Sequence, residues 1–215
     1  MTTKKIVFAL ALLTVGMSFS QAKLNKTKEA VLASIENHTS NLIQISDAIW
    51  HLAETAFEEN QSSKILADYA QSQGFKVERG VAGEPTAFVA TYGSGKPVIS
   101  VLGEFDALPG LSQKTEPTKN PVIDGNPGHG CGHNLFGAAS LGAAIAIKEQ
   151  IENGTLKGTV IFFGTPSEEK YFGKIWMVKA GLWDDVDVNV SWHPADNIKA
   201  DVQSSLALVD FKVEF

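Results

Sequence analysis

Residues 158–169 read GTVIFFGTPSEE, an apolar run between glycines that opens into a turn and two adjacent carboxylates. Val160, Ile161, Phe162 and Phe163 leave no polar face, and the run is too short for a core helix. It therefore reads as a strand buried on both faces of a sheet. Glu168 and Glu169 follow its carboxyl end, which is where open α/β sheets place their ligands.

Working outward, Leu135–Ile147 is apolar nearly all round, with Gly137 and Gly142 allowing close approach, so it is expected as a helix buried against that sheet. Downstream, a helix around Tyr171–Ala180 leads to a second buried strand over 186–192 (VDVNVSW). Upstream, Thr86–Tyr92, a Gly-Ser-Gly turn at 93–95 and Pro97–Leu102 read as a hairpin or as neighbouring strands. Gly103–Gly132 is rich in Gly, Pro, Asp and Asn and is expected as a long functional loop. Before these, apolar residues from Val31 to Leu52 recur at helical spacing, which predicts one long amphipathic helix or two end to end over Lys26 to about Glu54. His38 falls on that stripe and reads as a partly buried helix histidine. A second helix over Asn60–Gln73 ends at Gly74. The alternation of strand and helix predicts an α/β, three-layer α/β/α domain with a mainly parallel central sheet, filling one domain or one and a half.

The chain has 215 residues, 44% of them apolar, and a formal charge of −6. Its acidity argues against nucleic acid as a partner. The N-terminus, MTTKKIVFALALLTVGMSFSQAK, has two lysines, an apolar run from Ile6 to about Phe19 and small residues at Ser20 and Ala22. This layout predicts a signal peptide over 1–22, export to the periplasm or outside, and no membrane association after cleavage. One cysteine cannot close an internal disulfide in such a compartment, so Cys131 is expected to be buried, intermolecular, reactive or bound to metal. Ser205–Phe215 alternates like an edge strand and stops without a turn or cap, as a piece of a longer chain would.

Four clusters fall at strand ends or at the entrance to the buried helix: Gly103–Pro109, His129–Asn134, Thr165–Glu169 and Ser191–Pro194. A parallel sheet would bring all four together. Cys131 and His133, Glu169 and His193 form a thiolate, imidazole and carboxylate set suited to zinc or manganese. Glu168 is left free beside it if the backbone there is extended, placed as the general base toward metal-activated water.

His-x-Cys-Gly-His-Asn at 129–134, Glu-Glu at 168–169, Trp-His-Pro at 192–194 and Asp-Ala-Leu-Pro at 106–109 together resemble the co-catalytic metallopeptidases and amidohydrolases. That family includes aminoacylases, hippurate hydrolase, auxin-conjugate amidohydrolases and p-aminobenzoyl-glutamate hydrolase, and the motif variants are most similar to the last of these branches. The resemblance implies two divalent metal ions and hydrolysis of an amide bond in a small N-acyl or aryl-amide amino acid. It also implies that Cys131, His133, Glu169 and His193 are ligands, that Glu168 is the base, that Asp106 orients a ligand imidazole, and that His129 stands near the metals. Asn134 occupies the family's usual Asp position. Family members run to about twice this length, with an inserted α+β lid that dimerises. The resemblance therefore implies a catalytic portion over 23–203, the first lid strand over 204–215, a homodimer for the full-length form, and an isolated chain that lacks a last histidine and is inactive. Two further readings are a thiol amidase with Cys131 as nucleophile and a truncated, non-catalytic remnant.

Overall fold

The strand read from residues 158–164 occupies the middle of the sheet. The computed structural model describes residues 25–200 and Val213. The expected leader (1–22) and first lid strand (204–215) lie outside them, Val213 apart. In chain order the elements are α1 (Lys26–Leu52), α2 (Asn60–Ser72), β1 (Lys76–Arg79), β2 (Phe88–Ser94), β3 (Val98–Glu104), α3 (His133–Glu152), β4 (Gly158–Thr165), α4 (Glu168–Tyr171), α5 (Gly173–Lys179) and β5 (Val188–Val190). Among the described residues no helix is long and apolar enough to cross a membrane.

The five strands lie in the order β1-β2-β4-β3-β5. β3 pairs in parallel with both β4 and β5, while β2 runs antiparallel to β4 and to β1, so the sheet is mixed. The expected pairing of β2 with β3 is corrected: β4 lies between them. β4 is the most apolar strand and takes the slot where both edges and both faces are covered. The entry to that slot is narrow, because a Cβ on Gly93 would lie 2.3 Å from the Gly158 carbonyl oxygen, and one on Gly158 would lie 2.3 Å from that of Pro97.

Successive β4 side chains then serve opposite layers. Phe162 joins Ile45 and Ile49 of α1, Leu66 of α2 and Leu141 of α3 on one face, whereas Phe163 joins Leu102, Met177 and Trp183 on the other. α1 is a single 27-residue helix whose Asn25 side chain accepts the Lys28 N–H. His38 ties it to its neighbours: Nδ1 lies 2.8 Å from the Tyr69 hydroxyl and Nε2 lies 2.9 Å from Glu149 Oε1. The loop after β3 is folded back on itself, with Leu108 and Gly128 exchanging two backbone hydrogen bonds of 3.0 Å.

α3 begins two residues earlier than the apolar pattern indicates, so that His133 is its first residue. It approaches β3 closely, since a Cβ on Gly137 would lie 2.7 Å from the Glu104 carbonyl oxygen. This contact sets the N-terminal turn of α3 directly on the carboxyl end of β3.

Candidate metal centre

Because β4, β3 and β5 are parallel neighbours, the segments after them emerge on one side, where α3 also begins. All four sequence clusters meet there. His133 is fully buried at the centre, and its Nδ1–H donates to Asp106 Oδ1 at 2.9 Å. The other Asp106 oxygen, Oδ2, accepts the Glu169 backbone N–H at 2.9 Å, so one carboxylate fixes both an imidazole and the acidic turn. The Asp106 contact directs His133 Nε2 into the cluster.

Around that nitrogen stand Glu104 Oε2 at 2.8 Å, His193 Nε2 at 3.4 Å and Glu169 Oε1 at 3.9 Å. Cys131 Sγ lies 3.6 Å from His193 Nε2. His193 donates from Nδ1 to the Pro194 carbonyl at 3.0 Å, which leaves Nε2 free to face the others. Its segment is anchored to α3 by Trp192 Nε1–H, which donates to Ser140 Oγ at 2.9 Å. The donor atoms of Cys131, His133 and His193 lie within 4.8 Å of one another, as do those of Glu104, His133 and Glu168. Both groups share His133.

Glu168 and Glu169 lie on a single helical turn, α4, and not on the extended backbone expected for them. Ser167 precedes them in the left-handed region (φ 57°) and reverses the chain out of β4. Successive residues of a helix diverge by about 100°, so Glu169 turns toward His133 while Glu168 joins Glu104. Ser167 is held from below by Glu59, whose Oε1 accepts its N–H at 2.9 Å.

The electrostatics favour a cation. Burial works against a charge on His133, but the Asp106 and Glu104 carboxylates outweigh it and raise its pKa to about 10. Burial and the neighbouring Glu169 push the Cys131 thiol up to about 12. Cys131 therefore needs a cation beside it to ionise near neutrality. Burial, with Glu168 and Asp106 nearby, also raises the Glu169 carboxyl. Glu104 Oε2 and Glu169 Oε1 are buried without a hydrogen-bond partner. Crowded carboxylate oxygens, two imidazole nitrogens and a thiol on one point fit a divalent cation, which would take the place of the proton that His133 Nε2 otherwise carries among them.

His129 stands beside this set and outside both donor groups. Its Nε2–H donates to the Ile49 carbonyl at 3.0 Å, and burial lowers its pKa to about 4, leaving a neutral ring. Asn134 turns away, donating to Ser46 Oγ at 3.0 Å. The sequence reading missed Glu104 and Lys174, which form an ion pair at the rim of the cluster. Glu104 is two residues before Asp106 at the end of a strand, a spacing that places both on one side and signals the pair.

Residues 101–207 match peptidase family M20/M25/M40. Over 164 residues the chain is 49% identical to one of the subunits of p-aminobenzoyl-glutamate hydrolase from Escherichia coli strain K12, covering 75% of this chain and 34% of that protein. The chain belongs to peptidase family M20/M25/M40. Among other M20 relatives, the hydrolase's second kind of subunit, from the same strain, is 34% identical over 143 residues, covering 60% of this chain and 32% of its own length. The crystal structure of the Bacillus subtilis YxeP protein, a dinuclear metal binding peptidase of the M20 family, superposes with a TM-score of 0.62 at 26% identity, covering 72% of this chain and 42% of that one. The chain thus spans between 32% and 42% of the length of these relatives.

Proposed function

We propose that this chain carries the metal-binding and proton-transfer part of an amide hydrolase acting on N-acyl or aryl-amide amino acids of the p-aminobenzoyl-glutamate type. One observation carries the reading: the Glu104 and Glu169 carboxylates and the His193 imidazole, from three strand ends, converge on His133 Nε2, which has at most one proton to share among them. In this reading Cys131, His133, Glu169 and His193 hold two divalent ions, zinc or manganese. Asp106 fixes the His133 ring, and His129 buttresses the site through Ile49. Bound metal acidifies water and polarises the amide carbonyl. Glu168 takes the proton of the attacking water on a carboxylate oxygen and returns it to the nitrogen of the departing amine. Similarity to two different polypeptides of one hydrolase supports assembly from more than one chain, a homodimer being the simplest form. Leader-like residues 1–22 support export, with a mature N-terminus at Lys23.

The raised Cys131 thiol weighs against the thiol amidase. Calorimetric titration of the purified chain with manganese and zinc, alongside an assay on p-aminobenzoyl-glutamate, tests the proposal. Metal binding that is lost with chelator is expected, without turnover by the 215 residues alone. Turnover that survives chelator would point to the thiol enzyme, and turnover that needs metal would overturn the claim of inactivity alone.

A further inference from the structure

Glu104 ends β3 and is paired in register with Thr165 of β4, so the sheet places it at the mouth of the cluster. Only 5% of its surface is exposed. Its two oxygens have different fates: Oε1 is engaged by the Lys174 ammonium from α5, whereas Oε2 is buried and lacks an aligned donor. Oε2 points to the other donors, 2.8 Å from His133 Nε2 and 4.0 Å from His193 Nε2, and its carboxylate groups with that of Glu168. A buried carboxylate oxygen is costly to leave unpaired. Neither Lys174 nor the sheet satisfies this one.

We infer that Glu104 is a metal-binding residue of the centre, giving Oε2 to a divalent cation while Lys174 holds Oε1 and fixes the rotamer. This rests on the metal-dependent reading above and adds a carboxylate to its ligand set. It also assigns Lys174 a positioning role, because an ammonium on one oxygen restricts the other to a single direction. An additional hard oxygen ligand shifts the centre toward manganese relative to a thiolate and imidazole set alone.

The test is cobalt(II) titration of the purified chain, read by calorimetry and by the visible absorption of the bound ion, beside thermal melts of the metal-free protein. Glu104→Gln keeps the size and removes the charge; it is expected to weaken cobalt(II) binding about 10-fold to 100-fold and to change the spectrum. Glu104→Asp retains the charge and retracts the oxygens, so it is expected to weaken binding as well, and it serves if the Gln variant does not fold. Lys174→Met frees the Glu104 rotamer and also deletes a neighbouring positive charge, two effects of opposite sign, so it is expected to change the affinity less than Glu104→Gln does. Cys131→Ser in the same series reports on the underlying metal reading. If Cys131→Ser weakens binding while both Glu104 variants stay within about twofold of the unaltered chain, Glu104 is not a ligand and this inference alone falls. Equal weakening by Lys174→Met and Glu104→Gln would make Glu104 a structural ion-pair partner, which also overturns it. Failure of the unaltered chain to bind cobalt(II) overturns both.

Discussion

Two histidines of this chain sit in partly or fully buried surroundings beside carboxylates, yet their neighbourhoods are balanced differently. At the junction of α1, α2 and α3, His38 has one partner for each ring nitrogen, Tyr69 and Glu149, and Asn41 adds a donor to the Tyr69 hydroxyl at 3.3 Å. Protons and lone pairs there can be matched one to one. At the strand ends, the single nitrogen His133 Nε2 meets Glu104, Glu169 and His193 and has at most one proton to share among them. Burial and proximity to an acid do not separate a structural histidine from a ligand, because both have them. The ratio of acceptors to available protons does: a surplus of acceptors marks a place that is completed by a cation.

The largest expected effect breaks the surplus directly. Glu169→Gln removes one orphaned charge, so cobalt(II) affinity should fall by about 100-fold or more, since even outer-shell partners are worth 10-fold to 100-fold. The metal-free protein should melt at a higher temperature, because burial already disfavours that carboxylate and raises its pKa. Opposite signs in binding and stability are what a functional cluster predicts. A parallel fall in both would make Glu169 an ordinary structural acid.

Glu59 offers an intermediate case and a smaller effect. Its oxygens both have donors, from Thr86 Oγ1–H at 3.1 Å and Ser167 N–H at 2.9 Å, but among the described residues no cation stands beside it. Burial raises its pKa from 4.5 to about 7. The folded state therefore holds a proton that the unfolded chain releases from about pH 4.5 upward. The contribution is fully present below that pH and is lost as pH rises through about 7, a change on the order of 2 kcal/mol. Urea unfolding of the unaltered chain and of Glu59→Gln between pH 4.5 and 8 checks this: the variant should become relatively more stable as pH rises. A constant difference across that range would mean that Glu59 titrates alike in both states.

How far these neighbourhoods can be read in the sequence depends on the range of the interactions. The β4 run and the apolar stripe of α1 are local patterns, and they locate the central strand and the long helix directly. The convergence of 103–109, 129–134, 165–169 and 191–194 follows from parallel strands alone, which is why Asp106, Cys131, His133, Glu169 and His193 were legible as a group. The place of β4 between β2 and β3 was not legible, because a glycine-rich link of a few residues looks the same whether or not another strand enters beside it. The turn of helix at 168–171 depends on Ser167 accepting a left-handed backbone, for which serine carries no strong signal. Glu104 lay in full view within its motif. Its role emerges only when α5 supplies Lys174 from seventy positions away and occupies just one of its oxygens.

The smallest expected effect tests the balanced member of the pair. His38→Leu leaves the Tyr69 hydroxyl and the Glu149 carboxylate without their shared partner. Glu149 is about a third exposed, its side chain retaining 35% of its accessible surface, so water can replace the imidazole at that end, and Asn41 still reaches the Tyr69 hydroxyl. The loss should be about 1 kcal/mol, the net worth of an ordinary hydrogen bond and not the penalty of a stranded buried charge. In a thermal melt that is a shift of about 2–4 °C for a chain of this size, with cobalt(II) affinity unchanged, because His38 meets α3 at Glu149, the opposite end of the helix from His133. A change in affinity would show that the two histidines are coupled through α3, and the contrast between a matched and a surplus neighbourhood would then no longer separate structure from function here.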